Sequence, residues 1–188
     1  MHALGQLPAF PLAATSPSGS GLIPGREVQL RAAGADDMPF LRALFHAVKE
    51  EELGLAGWPE PAKQALLDQQ FALQHRQYVS AYASADFWIV EHRQQPIGRY
   101  YLLRESLCYH IVDIMLASDW RHRGIGSLLL SWTQSLAQAH GATAISLQVD
   151  ERNVGAQRLY AKHGFAQIAR ETPHIVMHWN RPVQLNTA

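Results

Sequence analysis

At 188 residues, 47% of them hydrophobic, the chain suits one domain with a core of ordinary size. Its 16 basic and 16 acidic residues cancel, which removes any overall attraction to nucleic acid or an anionic membrane. The single cysteine, Cys108, excludes an internal disulfide, and no apolar run is long enough to span a bilayer, so a reducing, cytoplasmic setting is expected.

Residues 1–26 read as a flexible N-terminal tail, with Ser, Pro and Gly alternating from Ser16 to Gly21. Leu7 to Ala14 is apolar but holds two prolines and no basic flank, so it is not read as a signal peptide. Residues 27–182 read as one domain and 183–188 as a C-terminal tail. Glu27 to Arg31 alternates polar and apolar residues, as a strand does. Asp36 or Asp37 is placed to cap the next helix. Met38, Leu41, Leu44, Phe45 and Val48 then recur at helical spacing, predicting a helix from Asp37 to about Glu51. Gly54 to Pro61 is a loop containing Trp58. A second helix is predicted over about Ala62 to Tyr82, with Leu66, Leu67, Phe71, Leu73 and Tyr78 along it and Gln69, Gln70, Gln74 and His75 on a solvated face.

Phe87 to Val90 and Ile97 to Leu103 read as a hairpin about the turn Gln94-Gln95-Pro96. Tyr109 to Ala117 is a further strand. The helix Ile125 to His140 carries Ile125, Leu128, Leu129, Trp132 and Leu136 on one face, with Gly141 at its C-cap. Ala144 to Val149 is a strand, and Asn153 to His163 a short helix with Asn153 as N-cap and Gly164 past its end. Phe165 to Arg170 and His174 to Trp179 are the last strands. The class is α+β with three layers: a mostly antiparallel twisted sheet with helices on both faces.

The stretch Arg121-His122-Arg123-Gly124-Ile125-Gly126-Ser127 lies between a strand and a helix. A helix start leaves backbone N–H groups without partners and carries partial positive charge. Glycine lets a phosphate approach those groups, and Arg121 and Arg123 add charge, so the turn reads as a diphosphate cradle. A plain strand-to-helix turn would carry the same glycines, and Gly-x-Gly alone does not separate the two. A second segment, Asn153, Ala156, Leu159-Tyr160 and Gly164-Phe165, follows downstream, and it is the two together that carry a resemblance.

With both segments in place the chain resembles the GNAT superfamily of N-acetyltransferases from about Glu27 to Pro182. Leu30-Arg31 with Asp37 is similar to the family's opening strand and helix, Arg121-x-x-Gly124-x-Gly126 to its coenzyme A diphosphate loop, and Met177 to its final strand. Ser118 stands where Pro is common and His122 where a small residue is common. The resemblance implies acetyl-CoA as donor and a three-layer α/β/α fold. It implies coenzyme contacts at Met115, Leu116, Arg121, His122, Arg123, Gly124, Ile125, Gly126, Ser127 and Asn153. Backbone N–H groups near Met115 and Leu116 would hold the pantetheine and polarise the thioester carbonyl, an oxyanion-hole role.

The resemblance also implies direct attack by a primary amine in a ternary complex, so Cys108 is not needed as a nucleophile. His110 is the expected base, because an ordinary histidine accepts a proton near neutral pH; a histidine on a strand face also serves as a core residue. Strand alternation puts it on one face with Val112 and Ile114 and puts Asp113 on the other. Tyr160 is the expected acid for the leaving thiolate; a core aromatic beside Leu159 would look the same. His174 and His178 are four apart on a strand, about 13 Å, so no metal is expected. Glu50-Glu51-Glu52 is either a solvated helix end or an attractor for a cationic amine, with Trp58, Gln74, Tyr78 and Tyr101 as lining residues. A small-molecule or peptide amine acceptor is expected, with no nucleic acid or membrane partner. A homodimer is an expectation from family habit only. The competing function is a non-catalytic coenzyme A-binding sensor or interaction module.

Overall fold

The computed structural model describes residues 7–11, 22–23 and 27–182. They hold eight strands, β1 Leu22–Ile23, β2 Val28–Ala32, β3 Asp86–His92, β4 Gln95–Arg104, β5 Cys108–Leu116, β6 Ala144–Asp150, β7 Ala166–Glu171 and β8 His174–Asn180. Four helices accompany them: α1 Met38–Leu53, α2 Glu60–Ala81, α3 Ile125–Ala139 and α4 Val154–Lys162. The chain forms two compact units, one from Met1–Tyr101 with Asp113–Arg123, the other from Leu102–Val112 with Gly124–Ala188. Strands β4 and β5 contribute residues to both. The α+β class and the mostly antiparallel pairing expected from the sequence hold.

The first unit carries the strand order β1-β2-β3-β4-β5. Strand β2 pairs antiparallel with β3, Val28 opposite His92 and Ala32 opposite Trp88. The β3–β4 turn is Arg93-Gln94, both at positive φ (49° and 65°), rather than Gln94 to Pro96. Two consecutive left-handed residues give a two-residue turn whose twist matches the strands, so Pro96 falls inside β4. The spacing read for α1 is the buried face observed: Leu41, Leu44, Phe45 and Val48 are at most 6% exposed and pack with Phe71, Ile89 and Met115. Each such side chain contributes about 1.5–3 kcal/mol on leaving water.

Asp37 does not cap α1. Its carboxylate accepts from the Gly34 N–H at 2.8 Å and from Arg31 at 2.6 and 2.8 Å. Arg31 also reaches Glu91 on β3 at 2.6 Å. The Leu30-Arg31 and Asp37 pieces of the opening motif are therefore one ion-paired corner.

Helix α2 differs from its expected face. Leu73 is 58% exposed, whereas His75 is buried with Leu67, Phe71 and Val79. The inward stripe follows Leu67, Phe71, His75 and Val79 at a spacing of four. His75 Nε2 donates to the Pro8 carbonyl at 2.8 Å, and Phe10 meets its ring edge-on at 4.9 Å. Leu7 and Phe10, within the stretch expected as a tail, thus lie against the core of this unit. A cavity of about 550 Å³ beside them is walled by Leu7, Pro8, Ala9, Phe10, Ala35 and Met38 and includes none of the expected site residues.

In the second unit the order is β5-β6-β8-β7. The β5–β6 pair is parallel and the β6–β8 and β7–β8 pairs are antiparallel. Parallel neighbours need a crossover, which α3 provides. The buried side chains of α3 are Ile125, Leu129, Leu130, Thr133 and Ala137, a stripe rotated from the expected one that leaves Leu128, Trp132 and Leu136 half-buried. Gly141, at φ 81°, ends the helix as expected. Ile145, Leu147 and Val149 of β6 and Ile175, Met177 and Trp179 of β8 are all at most 6% exposed. Among the described residues no helix is long and apolar enough to cross a membrane.

Candidate active site

Backbone direction at the end of β5 sets the first part of the site. Along a strand, successive residues turn their N–H and C=O to alternate edges. The Ala117 N–H donates to the Ile97 carbonyl of β4 at 2.9 Å, so residue 117 faces β4. Met115 does too: a Cβ on Gly98 of β4 would stand 2.5 Å from its carbonyl oxygen. Leu116, between them, therefore turns its N–H and C=O away from β4. Its carbonyl accepts from Arg121 Nε at 3.2 Å. Its N–H likewise points away from β4.

On the α2 side of the same strands lies a buried polar cluster that sequence reading did not assemble. Arg99 of β4 is 2% exposed and donates to Asp113 and to Gln74 of α2, both at 2.5 Å. Its guanidinium lies 5.9 Å from the Tyr78 ring centre and 5.4 Å from that of Tyr101. Burial opposes the charge of Arg99, but Asp113 and the two phenols more than offset this and hold it protonated. Burial pushes the Tyr101 phenol up to about 12, against the pull of Arg99. Gln74, read as solvated, is an internal partner.

After β5 the chain makes a single turn, Ser118–Trp120, then Arg121 in an extended conformation, His122 at φ 57° and Gly124 at φ 80°. Gly124 is the N-cap of α3 and offers no side chain to its first turn. The Leu128 N–H bonds the Gly124 carbonyl at 3.0 Å, so the N–H groups of Ile125, Gly126 and Ser127 precede the first intrahelical bond. They, with the helix dipole, form a start suited to an anion. Arg121 Nη1 is held by Glu51 at 2.9 Å, and the Arg123 guanidinium lies 5.2 Å over the Trp120 ring. His122 is exposed, and Ile125 is a core side chain that can offer only its backbone.

Gly126 has a second constraint. A Cβ there would meet Leu159 Cδ2 of α4 at 2.9 Å. The missing side chain serves the packing of α3 on α4, and it joins the two sequence signatures physically: the second glycine of one faces the leucine of the other. Tyr160, next to Leu159, is 9% exposed, with the Phe165 ring 6.0 Å away. Asn153 Oδ1 accepts from the Ala156 N–H at 3.0 Å, the N-cap bond expected of it.

His110 stands opposite Ser146 of β6 in the parallel ladder, with Nδ1 2.9 Å from Ser146 Oγ. Ser146 Oγ also lies 3.3 Å from the Tyr109 carbonyl, to which only a donor can bond. Ser146 Oγ thus bridges the Tyr109 carbonyl and His110 Nδ1 and tethers the ring by that nitrogen. Burial lowers the His110 pKa, with Glu105 raising it and His178 lowering it further. His178 is itself the β8 neighbour of Ser146. Among the described residues no group of three or more His, Cys, Asp or Glu is placed to hold a metal ion.

Sequence reasoning missed Gly98 and Ser146. An isolated glycine inside a strand is a recognised sign of close backbone approach, so Gly98 was findable. Ser146 carried no local signal.

Residues 43–165 match the family model described as acetyltransferase (GNAT) family, and the chain belongs to that family of acetyltransferase enzymes. Solved structures with the same fold include the PaiA N-acetyltransferase from Thermoplasma acidophilum in complex with coenzyme A, at 16% identity, TM-score 0.62, covering 82% of this chain and 99% of that one. A GNAT family acetyltransferase from Staphylococcus aureus Mu50 aligns at 16% identity, TM-score 0.60, covering 81% and 98%. One from Elizabethkingia anophelis with acetyl-CoA bound aligns at 16% identity, TM-score 0.55, covering 82% and 99%. At these identities the likeness is one of fold.

Proposed function

We propose that this chain is an acetyl-CoA-dependent N-acetyltransferase that acts on a primary amine by direct attack in a ternary complex. The observation that carries the reading is the start of α3: Gly124 in a left-handed conformation, no side-chain cap, and Arg121 and Arg123 just ahead of it. The N–H groups of Ile125, Gly126 and Ser127 and the two guanidiniums are the groups to hold the coenzyme's diphosphate, with His122 at the rim. Met115 and Leu116 supply the backbone for the pantetheine, and the outward Leu116 N–H is the donor to the thioester oxygen. The bound coenzyme supplies an activated acetyl group.

His110 Nε2 takes a proton from the acceptor's ammonium. As the amine nitrogen bonds to the acetyl carbon, the Leu116 N–H stabilises the oxyanion, and the C–S bond breaks. Tyr160 donates its phenolic proton to the departing thiolate, and the second proton that the nitrogen sheds as the amide forms passes through solvent to restore the phenol, so the products are an N-acetylated amine, coenzyme A thiol and the one proton held by His110. Asn153 contributes by fixing the start of α4, the helix that carries Tyr160.

The test is thiol release from acetyl-CoA with a panel of small amines and peptide N-termini, for wild type, His110→Ala and Tyr160→Phe. The expected result is acceptor-dependent release, reduced about a hundredfold in each variant. Full release in both variants overturns the assigned roles while keeping the enzyme. Coenzyme binding without release for any acceptor favours a sensor instead.

A further inference from the structure

We infer that Gly98 is a positioning residue for the acetyl-CoA thioester, acting through the Met115–Leu116 peptide; this rests on the acetyl-CoA reading above. The geometry lies within one unit. Strand β4 passes so close to β5 that a Cβ on Gly98 would stand 2.5 Å from the Met115 carbonyl oxygen, 2.6 Å from Leu116 Cδ2 and 3.2 Å from Leu116 Cα. Two of these three atoms are backbone, which cannot swing aside as a side-chain end can. Gly98 has an ordinary backbone conformation, since it is not among the glycines with positive φ. Space alone, not dihedral freedom, requires glycine here.

The peptide group is rigid and trans, so its C=O and N–H point in opposite directions. The Met115 carbonyl and the Leu116 N–H belong to the same plane. With the carbonyl against Gly98, the N–H is aimed at the opposite edge of β5. A Cβ at residue 98 pushes the oxygen and tilts the plane, and the N–H turns with it. Neighbouring bonds keep the rest of this stretch in place. Arg99 and Asp113 clamp the same two strands at 2.5 Å, Ala117 N–H holds the Ile97 carbonyl at 2.9 Å, and Arg121 Nε holds the Leu116 carbonyl at 3.2 Å. The peptide facing Gly98 is therefore the part that moves. Gly98 touches no substrate and acts only by leaving room.

The experiment measures equilibrium binding of two probes, acetyl-CoA and adenosine 3′,5′-bisphosphate, which lacks the pantetheine, to the full chain. The variants are Gly98→Ala and Leu116→Pro. The second removes the N–H itself while sparing β4, because that N–H faces away from it. Both variants are expected to weaken acetyl-CoA binding on the order of tenfold, the effect of losing or misdirecting one hydrogen bond, and to leave the bisphosphate unchanged. Equal weakening of both probes in Gly98→Ala marks a general structural defect and overturns the proposal. So does unchanged acetyl-CoA binding in either variant. Should Gly98→Ala fail to fold, Gly98→Ala combined with Leu116→Ala, which removes the Cδ2 clash but keeps the one with the Met115 carbonyl, takes its place: acetyl-CoA affinity equal to that of Leu116→Ala alone overturns the proposal, and selective weakening against the bisphosphate supports it. Wild type that binds neither probe overturns the acetyl-CoA reading itself.

Discussion

Ser146 Oγ lies 2.9 Å from His110 Nδ1, across a parallel strand pair in which the two residues are direct ladder partners. The same oxygen lies 3.3 Å from the Tyr109 carbonyl. One hydroxyl thus ties the His110 ring to the backbone of its own strand.

The pH dependence of turnover follows from this pair. Burial lowers the pKa of His110 below its ordinary 6.5. The ring is neutral and able to accept a proton above that lowered value, and it is charged and inactive below it. The acid limb of kcat/KM is expected below pH 6.5, and Ser146→Ala should shift that limb and lower kcat about tenfold by releasing the ring from its tether. An acid limb at or above 6.5, or one untouched by Ser146→Ala, removes His110 from the reaction.

Stability should fall on mild acidification. His46, His75, His110 and His163 all have pKa values lowered from 6.5, burial being the largest cause in each. The unfolded chain then binds more protons than the folded one near and below 6.5, so the slope of stability against pH is positive. The contribution of these histidines is fully present above 6.5 and is lost as pH falls through their folded values. Thermal melts from pH 8 to 5 should show a flat Tm followed by a decline beginning near 6.5. A Tm that rises as pH drops through this window contradicts the assignment.

Gly126 should behave as a packing residue. Alanine is a better helix former than glycine by roughly 0.5–1 kcal/mol, but here its Cβ meets Leu159 Cδ2. Leu159 Cδ2 is the end of a flexible side chain and can turn aside, so Gly126→Ala is expected to change stability by less than about 1 kcal/mol, with a coupling to Leu159→Ala of about 0.5–1 kcal/mol in a double-mutant cycle. Additive effects in urea unfolding would show that the two signatures do not touch.

The Arg99–Asp113 pair should respond asymmetrically. Removing one charge leaves the other buried, so Asp113→Asn is expected to cost about 3–5 kcal/mol by urea denaturation. The double variant Arg99→Met with Asp113→Leu should recover most of that loss, because no charge is then stranded. Failure of the double variant to recover would assign the cost to packing.

Within the chain, local patterns were sufficient for most elements. The buried face of α1 could be read at its spacing, and Gly141 at its C-cap, because helix period and left-handed backbone are properties of a few adjacent residues. The Arg121 to Gly126 turn and the block from Asn153 to Phe165 were also legible, and they alone sufficed to suggest the family. Helix α2 was less so. Its inward histidine and glutamine are polar, and only their partners, the Pro8 carbonyl and Arg99, explain their burial.

Local sequence sufficed for the order of elements, for the glycine-opened helix and for the membership of the acetyltransferase family. The pairings between distant segments came from the folded chain alone. Ser146 meets His110 across 36 residues, Leu159 fills the space over Gly126, Gly98 lies under the Met115 carbonyl, and Asp37 turns to Arg31 instead of capping a helix. Periodicity constrains which face a side chain takes; register and crossover place its partner, and those depend on how whole strands and helices pack.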